Sequence, residues 1–286
     1  MRFISYLASH GPSYGVLRGE GVVDLSAVLA STAPDLKSLL AAGLLPKVAE
    51  LTAGRQPDVE LGKVDLLPVI PNPGKIVCIG LNYYEHVAET GQSVTEDPTL
   101  FLRLPASQVA HGQAMVLPPE TQKLDYEGEI AIVVGKAGRR IGEADAWSHV
   151  AGYSCYNDGS VRDWQTASSQ WTAGKNFWRT GGFGPWMVSG DEIGPGRRMT
   201  LTTRVNGQEV QRATTDMMIH SIPRQIAFVS TFIPLEPGDV IVTGTPGGVG
   251  ARRNPPLFLK PGDVVEVEVD AIGILSNTVV AEQMRS

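Results

Sequence analysis

The stretch LDYEGEIAIVVGKAGRRIGEADAWSHVAGYSCYNDGSVRD, Leu124 to Asp163, holds two strand-like apolar runs, Ile130 to Val134 and Val150 to Tyr156, each with acidic residues at one end. Side chains alternate across a strand, so Glu127 and Glu129 project from one face and Gly128 from the other. Asp158, just past the second run, can add a third carboxylate. Three oxygen ligands with neither sulfur nor imidazole beside them suit a hard divalent ion, Mg²⁺ or Mn²⁺ with Ca²⁺ also compatible, rather than structural zinc. Glu-Gly-Glu by itself leaves open a second reading, an edge strand whose acidic residues are simply solvated.

The composition bounds what this pattern can belong to. A chain of 286 residues, 42% of them hydrophobic, can bury a sizeable core as one large domain or as a catalytic body with a small appendage. Net charge is −6 and the basic residues form no stripe, which argues against nucleic acid and anionic membrane surfaces and for small-molecule partners. Cys78 and Cys155 are far apart in sequence, in apolar segments, and read as buried free thiols of a reducing cytoplasm. No apolar run approaches membrane-spanning length, and no secretory signal pattern opens the chain.

Residues 1–71 read as a small accessory α/β unit: strand-like pieces RFISYLA, YGVLRG and GVVDLS, then helical apolar spacing between Pro34 and Leu51. His10 stands there alone and suggests no chemistry. PVIPNPGK, Pro68 to Lys75, is written like a linker, which places a larger, β-rich unit at 72–286.

In that larger unit, GLNYYEHVAETG, Gly80 to Gly91, predicts a loop and a short helix with His86 and Glu89 three residues apart on one face. A carboxylate holding one imidazole nitrogen leaves the other free to move protons, and flanking glycines allow the segment to act as a lid. A solvated His/Glu helix surface fits the same spacing. Arg103 in FLRLPAS is suited to gripping a substrate carboxylate, whereas His111 reads as a non-ligand. Lys175, ahead of an aromatic and Gly-rich loop, could stabilise an oxyanion or enolate. The amphipathic helix opened by Ser221 and the Asn206-Gly207 hairpin read as framework. The strand VIVTG delivers Thr245 into a glycine-rich loop that lacks P-loop spacing.

Taken together and in this order, GLNYYEHVAETG, FLRLPAS, LDYEGEIAIVVG, AGYSCYNDGSVRDWQ, AGKNFWRTGGFGP and PGDVIVTGTPGGVG resemble the fumarylacetoacetate hydrolase family over roughly Lys75 to Val280. The resemblance implies an α+β, predominantly β fold, a mixed β-roll of the family's C-terminal-domain type with the small N-terminal α/β appendage, and a homodimer. It implies Mg²⁺ or Mn²⁺ on Glu127, Glu129 and Asp158, a water-activating His86–Glu89 dyad on a mobile lid, and Lys175 as the active-site lysine. Arg162 and Gln165 match substrate-contacting positions, and Thr245 falls in the family's Gly-Thr-Pro loop. One departure bears on the pocket: where many members carry Asp and Thr after the lysine, this chain has Trp178 and Arg179.

The implied activity is hydrolysis of a carbon–carbon bond in a 2,4-dioxo acid, an acylpyruvate or fumarylpyruvate. His86 and Glu89 would activate water, while the ion and Lys175 stabilise the departing enolate. The same parts would serve an oxaloacetate-type 2-oxo acid decarboxylase, keto–enol tautomerisation or a diene-dioate isomerase. A non-catalytic metal-binding protein of the same fold is the alternative of another class.

Overall fold

The computed structural model describes residues 1–29 and 31–283. The strand Gly128–Val134 is its centre, buried along its whole length. Ile130, Ile132 and Val134 face one core, while Ala131 and Val133 face another. Burial on both faces is why the run is continuously apolar instead of alternating with polar residues. Antiparallel pairing with Val150–Asp158 sets Gly128 opposite Asn157 and Glu129 opposite Tyr156, which brings the acidic ends of the two strands together.

Around this pair the chain builds a mixed sheet. Val150–Asp158 pairs on its far side with Gly181–Ser189, and Gly128–Val134 pairs with Val240–Val242. Val240–Val242 then runs parallel to Ile76–Gly80, whose antiparallel neighbour is Thr99–Arg103. Those two strands therefore deliver the segments Gly80 to Gly91 and Thr243 to Gly250 to the end of the sheet that carries Glu129. A second sheet, with Thr200–Val205, Gln208–Thr214, Val264–Val269, Gly273–Ala281 and Met115–Leu117, packs on one face of the first. The fold is α+β and predominantly β, as expected.

Gly128 shows how closely the sheets approach. A Cβ there would lie 1.9 Å from Thr203 Oγ1 of the second sheet, so no other residue fits between Glu127 and Glu129 without moving that strand. The Asn206-Gly207 turn has φ of 51° and 78°, the left-handed pair of a type I′ hairpin, and Ser221 caps the helix Ile222–Phe232 through Arg224 N–H.

The N-terminal segment forms strands Arg2–Ala8, Gly11–Arg18 and Gly21–Asp24, matching the three strand-like pieces. The first of them pairs with Gly181–Ser189 through Arg2↔Val188 and Phe3↔Met187, so the segment continues the main sheet. Phe3, Tyr14, Leu36 and Leu39 share a core with Tyr156 and Phe183. The helical spacing from Pro34 to Leu51 resolves into three short pieces, Leu36–Ala41, Leu45–Lys47 and Val48–Leu51. The break follows from Gly43, at φ 65°, and from Pro46, which has no N–H to continue an α-helical ladder.

Candidate active site

Glu127, Glu129 and Asp158 converge as the strand period predicts. All three are buried, and one oxygen from each lies within 4.8 Å of the others. The backbone locks the convergence: Asp158 N–H donates to Glu127 O at 2.8 Å, and Glu127 N–H donates to Asn157 Oδ1 at 3.0 Å. Lys175, at the end of the short helix Thr172–Lys175, is also buried and donates to Glu127 Oε2 at 2.7 Å and to Asp158 Oδ2 at 2.6 Å. Its ammonium lies 4.7 Å from the centre of the Phe101 ring.

The carboxylates are electrostatically unequal. Burial opposes ionisation of Glu127, yet Lys175 and Arg162 more than offset it and hold that carboxyl well below the usual range. Glu129 is pushed the other way, by burial first and then by the charges of Asp158 and Glu127, although it accepts from Gly244 N–H. Lys175 resists the deprotonation that burial favours because Asp158 and Glu127 face it. Buried carboxylates in such numbers need cationic partners, and the cluster is short of positive charge at Glu129.

A cavity of about 440 Å³ opens on this cluster. His86 lines it from the helix Tyr84–Thr90, with Nδ1 2.7 Å from Glu89 Oε1. Glu89 is itself held, because Oε2 accepts from Gly248 N–H at 2.8 Å. The dyad thus joins the 80s segment to the glycine-rich loop, and the second imidazole nitrogen is left for the cavity. Thr245 lines the cavity while its hydroxyl donates to Gly128 O at 3.0 Å and accepts from Gln211 Nε2. Gln165 and Arg162 also line it and bond to each other at 2.8 Å. Arg162 donates Nε to Asp125 and pairs through Nη1 with Glu127, but its buried Nη2 finds no protein partner.

Arg103 is the one expected substrate contact that the structure does not bring to the cavity. It lies behind Asp158, fully buried, with Nη1 on Asp158 Oδ1 and Gly159 O, Nη2 on Thr180 Oγ1 and Nε on Ser107 Oγ. Phe101, two residues earlier on the same strand face, lines the cavity, whereas Arg103 at the end of the strand reaches behind Asp158. Trp178 and Arg179 do not line it either: Trp178 is exposed and Arg179 packs over its ring at 5.4 Å.

Sequence reasoning missed several wall residues. Trp171 meets Phe101 edge to face at 5.6 Å, and Phe258, Lys123 and Arg252 are also part of the wall. Asp125 was passed over as well; it accepts from Arg162 Nε, Gly250 N–H and Ala251 N–H, so one carboxylate positions both the arginine and the glycine-rich loop. Its place two residues before Glu127, continuing the spacing of Glu127 and Glu129, was an available signal.

The model for the fumarylacetoacetate (FAA) hydrolase C-terminal domain matches residues 75–280. Oxaloacetate tautomerase FAHD2A, mitochondrial, from Bos taurus is 37% identical over 98% of this chain and 92% of its own length. The fumarylacetoacetate hydrolase structure from psychrophilic Exiguobacterium antarcticum superposes with TM-score 0.83 at 32% identity, covering 99% of this chain and all of the other. Maleylpyruvate hydrolase from Sphingobium sp. SYK-6, in complex with manganese(II) ion and pyruvate, gives TM-score 0.82 at 27% identity, with 99% and 100% covered. Their shared architecture, together with a match across most of the sequence, establishes that the chain belongs to the fumarylacetoacetate hydrolase family.

Proposed function

We propose that this protein is a divalent-metal-dependent enzyme that forms the enolate of a small 2-oxo acid, and that its reaction is keto–enol tautomerisation of oxaloacetate or a related 2-oxo dicarboxylate. The observation that carries this reading is the meeting of Glu127, Glu129, Asp158 and Lys175 beneath a cavity that His86 also lines. The donor set fits a hard ion: three buried carboxylates, oxygen only, left short of positive charge. Glu127, Glu129 and Asp158 would hold Mg²⁺ or Mn²⁺, and the manganese and pyruvate of the SYK-6 hydrolase support both the ion and the 2-oxo acid. Bound there, the ion would draw electron density from the substrate's 2-oxo and carboxylate oxygens.

The remaining chemistry belongs to the side chains. Glu89 fixes His86 through Nδ1, so the other nitrogen can take a proton from the carbon next to the 2-oxo group and a proton can be returned to oxygen, or the reverse. Lys175 stabilises charge on the enolate oxygen. Arg162 offers its unpartnered Nη2 to a substrate carboxylate, with Gln165 and Thr245 beside it. The bovine relative's activity supports oxaloacetate as the substrate.

Hydrolysis of an acylpyruvate is the second reading, favoured by the His86–Glu89 pair, which orients an imidazole as water activation requires. Decarboxylation of oxaloacetate needs no such pair, and a non-catalytic metal protein would need none of His86, Glu89 or Lys175. Incubation with Mn²⁺ and oxaloacetate, acetylpyruvate or fumarylpyruvate separates the readings. Faster decay of the enol absorbance of oxaloacetate at constant mass supports the tautomerase. Pyruvate plus a carboxylic acid from an acylpyruvate would replace it with the hydrolase, and pyruvate plus carbon dioxide from oxaloacetate with the decarboxylase.

A homodimer belongs to the same proposal. Leu102, Leu104, Trp164 and Trp178 are exposed, and Asn176 ties the first two to the loop in which Phe177 meets Trp164 edge to face at 5.3 Å. An apolar face of this kind suits a second copy. Sedimentation at micromolar concentration is expected to show a dimer, and a fully active monomer would remove this part of the proposal. The buried free thiols Cys78 and Cys155 support a reducing compartment; we propose the cytoplasm, while the bovine relative is described as mitochondrial.

A further inference from the structure

Each oxygen of Asp158 carries a cation, and the two cations differ in kind. Lys175, on Oδ2, lines the cavity from the end of a four-residue helix and so has open space on one side. Arg103, on Oδ1, has no such freedom: it is sealed from solvent and anchored to Gly159 O at 2.9 Å, Thr180 Oγ1 at 2.9 Å and Ser107 Oγ at 3.3 Å. Gly159 follows Asp158 directly, so the guanidinium grips both the side chain and the backbone of one short segment. Thr180 is fixed in turn by donating to Phe177 O at 2.7 Å.

We propose that Arg103 is a positioning residue for the divalent-ion site: it holds Asp158 so that only Oδ2 is presented to the ion. The inference rests on the metal reading above and extends it to a residue that touches neither ion nor substrate. A guanidinium suits the task because its planar fork can bond a carboxylate oxygen and a carbonyl together while its other donors lock the plane. Outer partners of this sort orient a ligating carboxylate, and their loss typically costs about 10- to 100-fold in metal affinity.

The test is Mn²⁺ titration calorimetry on the metal-stripped full chain, with circular dichroism and thermal melting alongside. Arg103→Met is expected to bind Mn²⁺ about 10- to 100-fold more weakly than the parent while retaining the parent's spectrum, and Arg103→Lys to recover part of the loss. Lys75→Met is the structural control. It breaks another ion pair, partly buried, with Asp239, at the far end of the strands that lead to the site. It should melt earlier yet bind Mn²⁺ like the parent, which a general loss of stability in Arg103→Met could not imitate. Binding by Arg103→Met within about threefold of the parent would overturn the proposal. If Arg103→Met does not fold, Thr180→Val decides, since it removes an anchor of the guanidinium: weaker Mn²⁺ binding supports the proposal and parent-like binding overturns it. A parent protein that binds no Mn²⁺ would sink the metal reading itself, whereas parent-like binding by Arg103→Met with none by Glu129→Ala would overturn only the role of Arg103.

Discussion

Glu129→Ala is expected to lose divalent-ion binding and, with it, all metal-dependent turnover, while the protein remains folded. Among the described residues three carboxylates meet in this cluster, so removing one should cost more than the roughly 100-fold that marks the upper end for an outer partner. Glu129→Gln sharpens the test because it keeps the volume and removes the charge. Burial and the neighbouring carboxylates Asp158 and Glu127 make an ionised Glu129 costly in the metal-free protein. The glutamine variant should therefore melt at a higher temperature than the metal-free parent and yet bind no Mn²⁺, a site whose function opposes its stability. Unchanged Mn²⁺ affinity in either variant, measured by calorimetry, would remove Glu129 from the ligand set.

His86→Ala should reduce tautomerisation, or acylpyruvate cleavage if that is the reaction, by about 10²- to 10⁴-fold, the usual cost of losing a positioned acid or base. Ion binding should persist, because His86 bonds Glu89 and not the carboxylate cluster. Decarboxylation of oxaloacetate requires no proton-moving imidazole and should survive the substitution. Glu89→Gln should act in the same direction and more mildly, since an amide can still bond the ring and Gly248 N–H lies within reach to hold it. Steady-state rates on both substrates check this. A His86→Ala enzyme within about twofold of the parent on the enol of oxaloacetate would exclude the imidazole from the chemistry.

Local periodicity made part of this site legible. Glu127 and Glu129 share a face because a strand repeats every two residues, and His86 meets Glu89 because a helix brings residues three apart together. Those are short-range rules, and short-range rules also gave the Asn206-Gly207 turn and the Ser221 cap. Arg103 lay beyond them. Whether an arginine near a strand end faces a cavity or a buried aspartate 55 positions away depends on strand order, and no local pattern encodes that order. Trp178 and Arg179 mislead for a related reason: they follow Lys175 closely in sequence, but Trp178 stands exposed with Arg179 over its ring, and neither lines the cavity. Trp171 and Phe258 enter the wall from segments whose sequences carry no signal of their own.

The pairing of Phe3 with Met187 bears on how the catalytic region could ever exist by itself. A chain cut at residue 71 would lose Arg2–Ala8 as a neighbour and leave the outer part of Gly181–Ser189 as an open row of N–H and C=O groups. It would also uncover Tyr156 and Phe183, apolar side chains on the two strands nearest Asp158. Exposed apolar edges of that kind recruit other strands. The N-terminal segment, none of whose described residues lines the cavity, thus covers an edge of the strand next to the one that ends in Asp158, an edge that would otherwise be open to self-association.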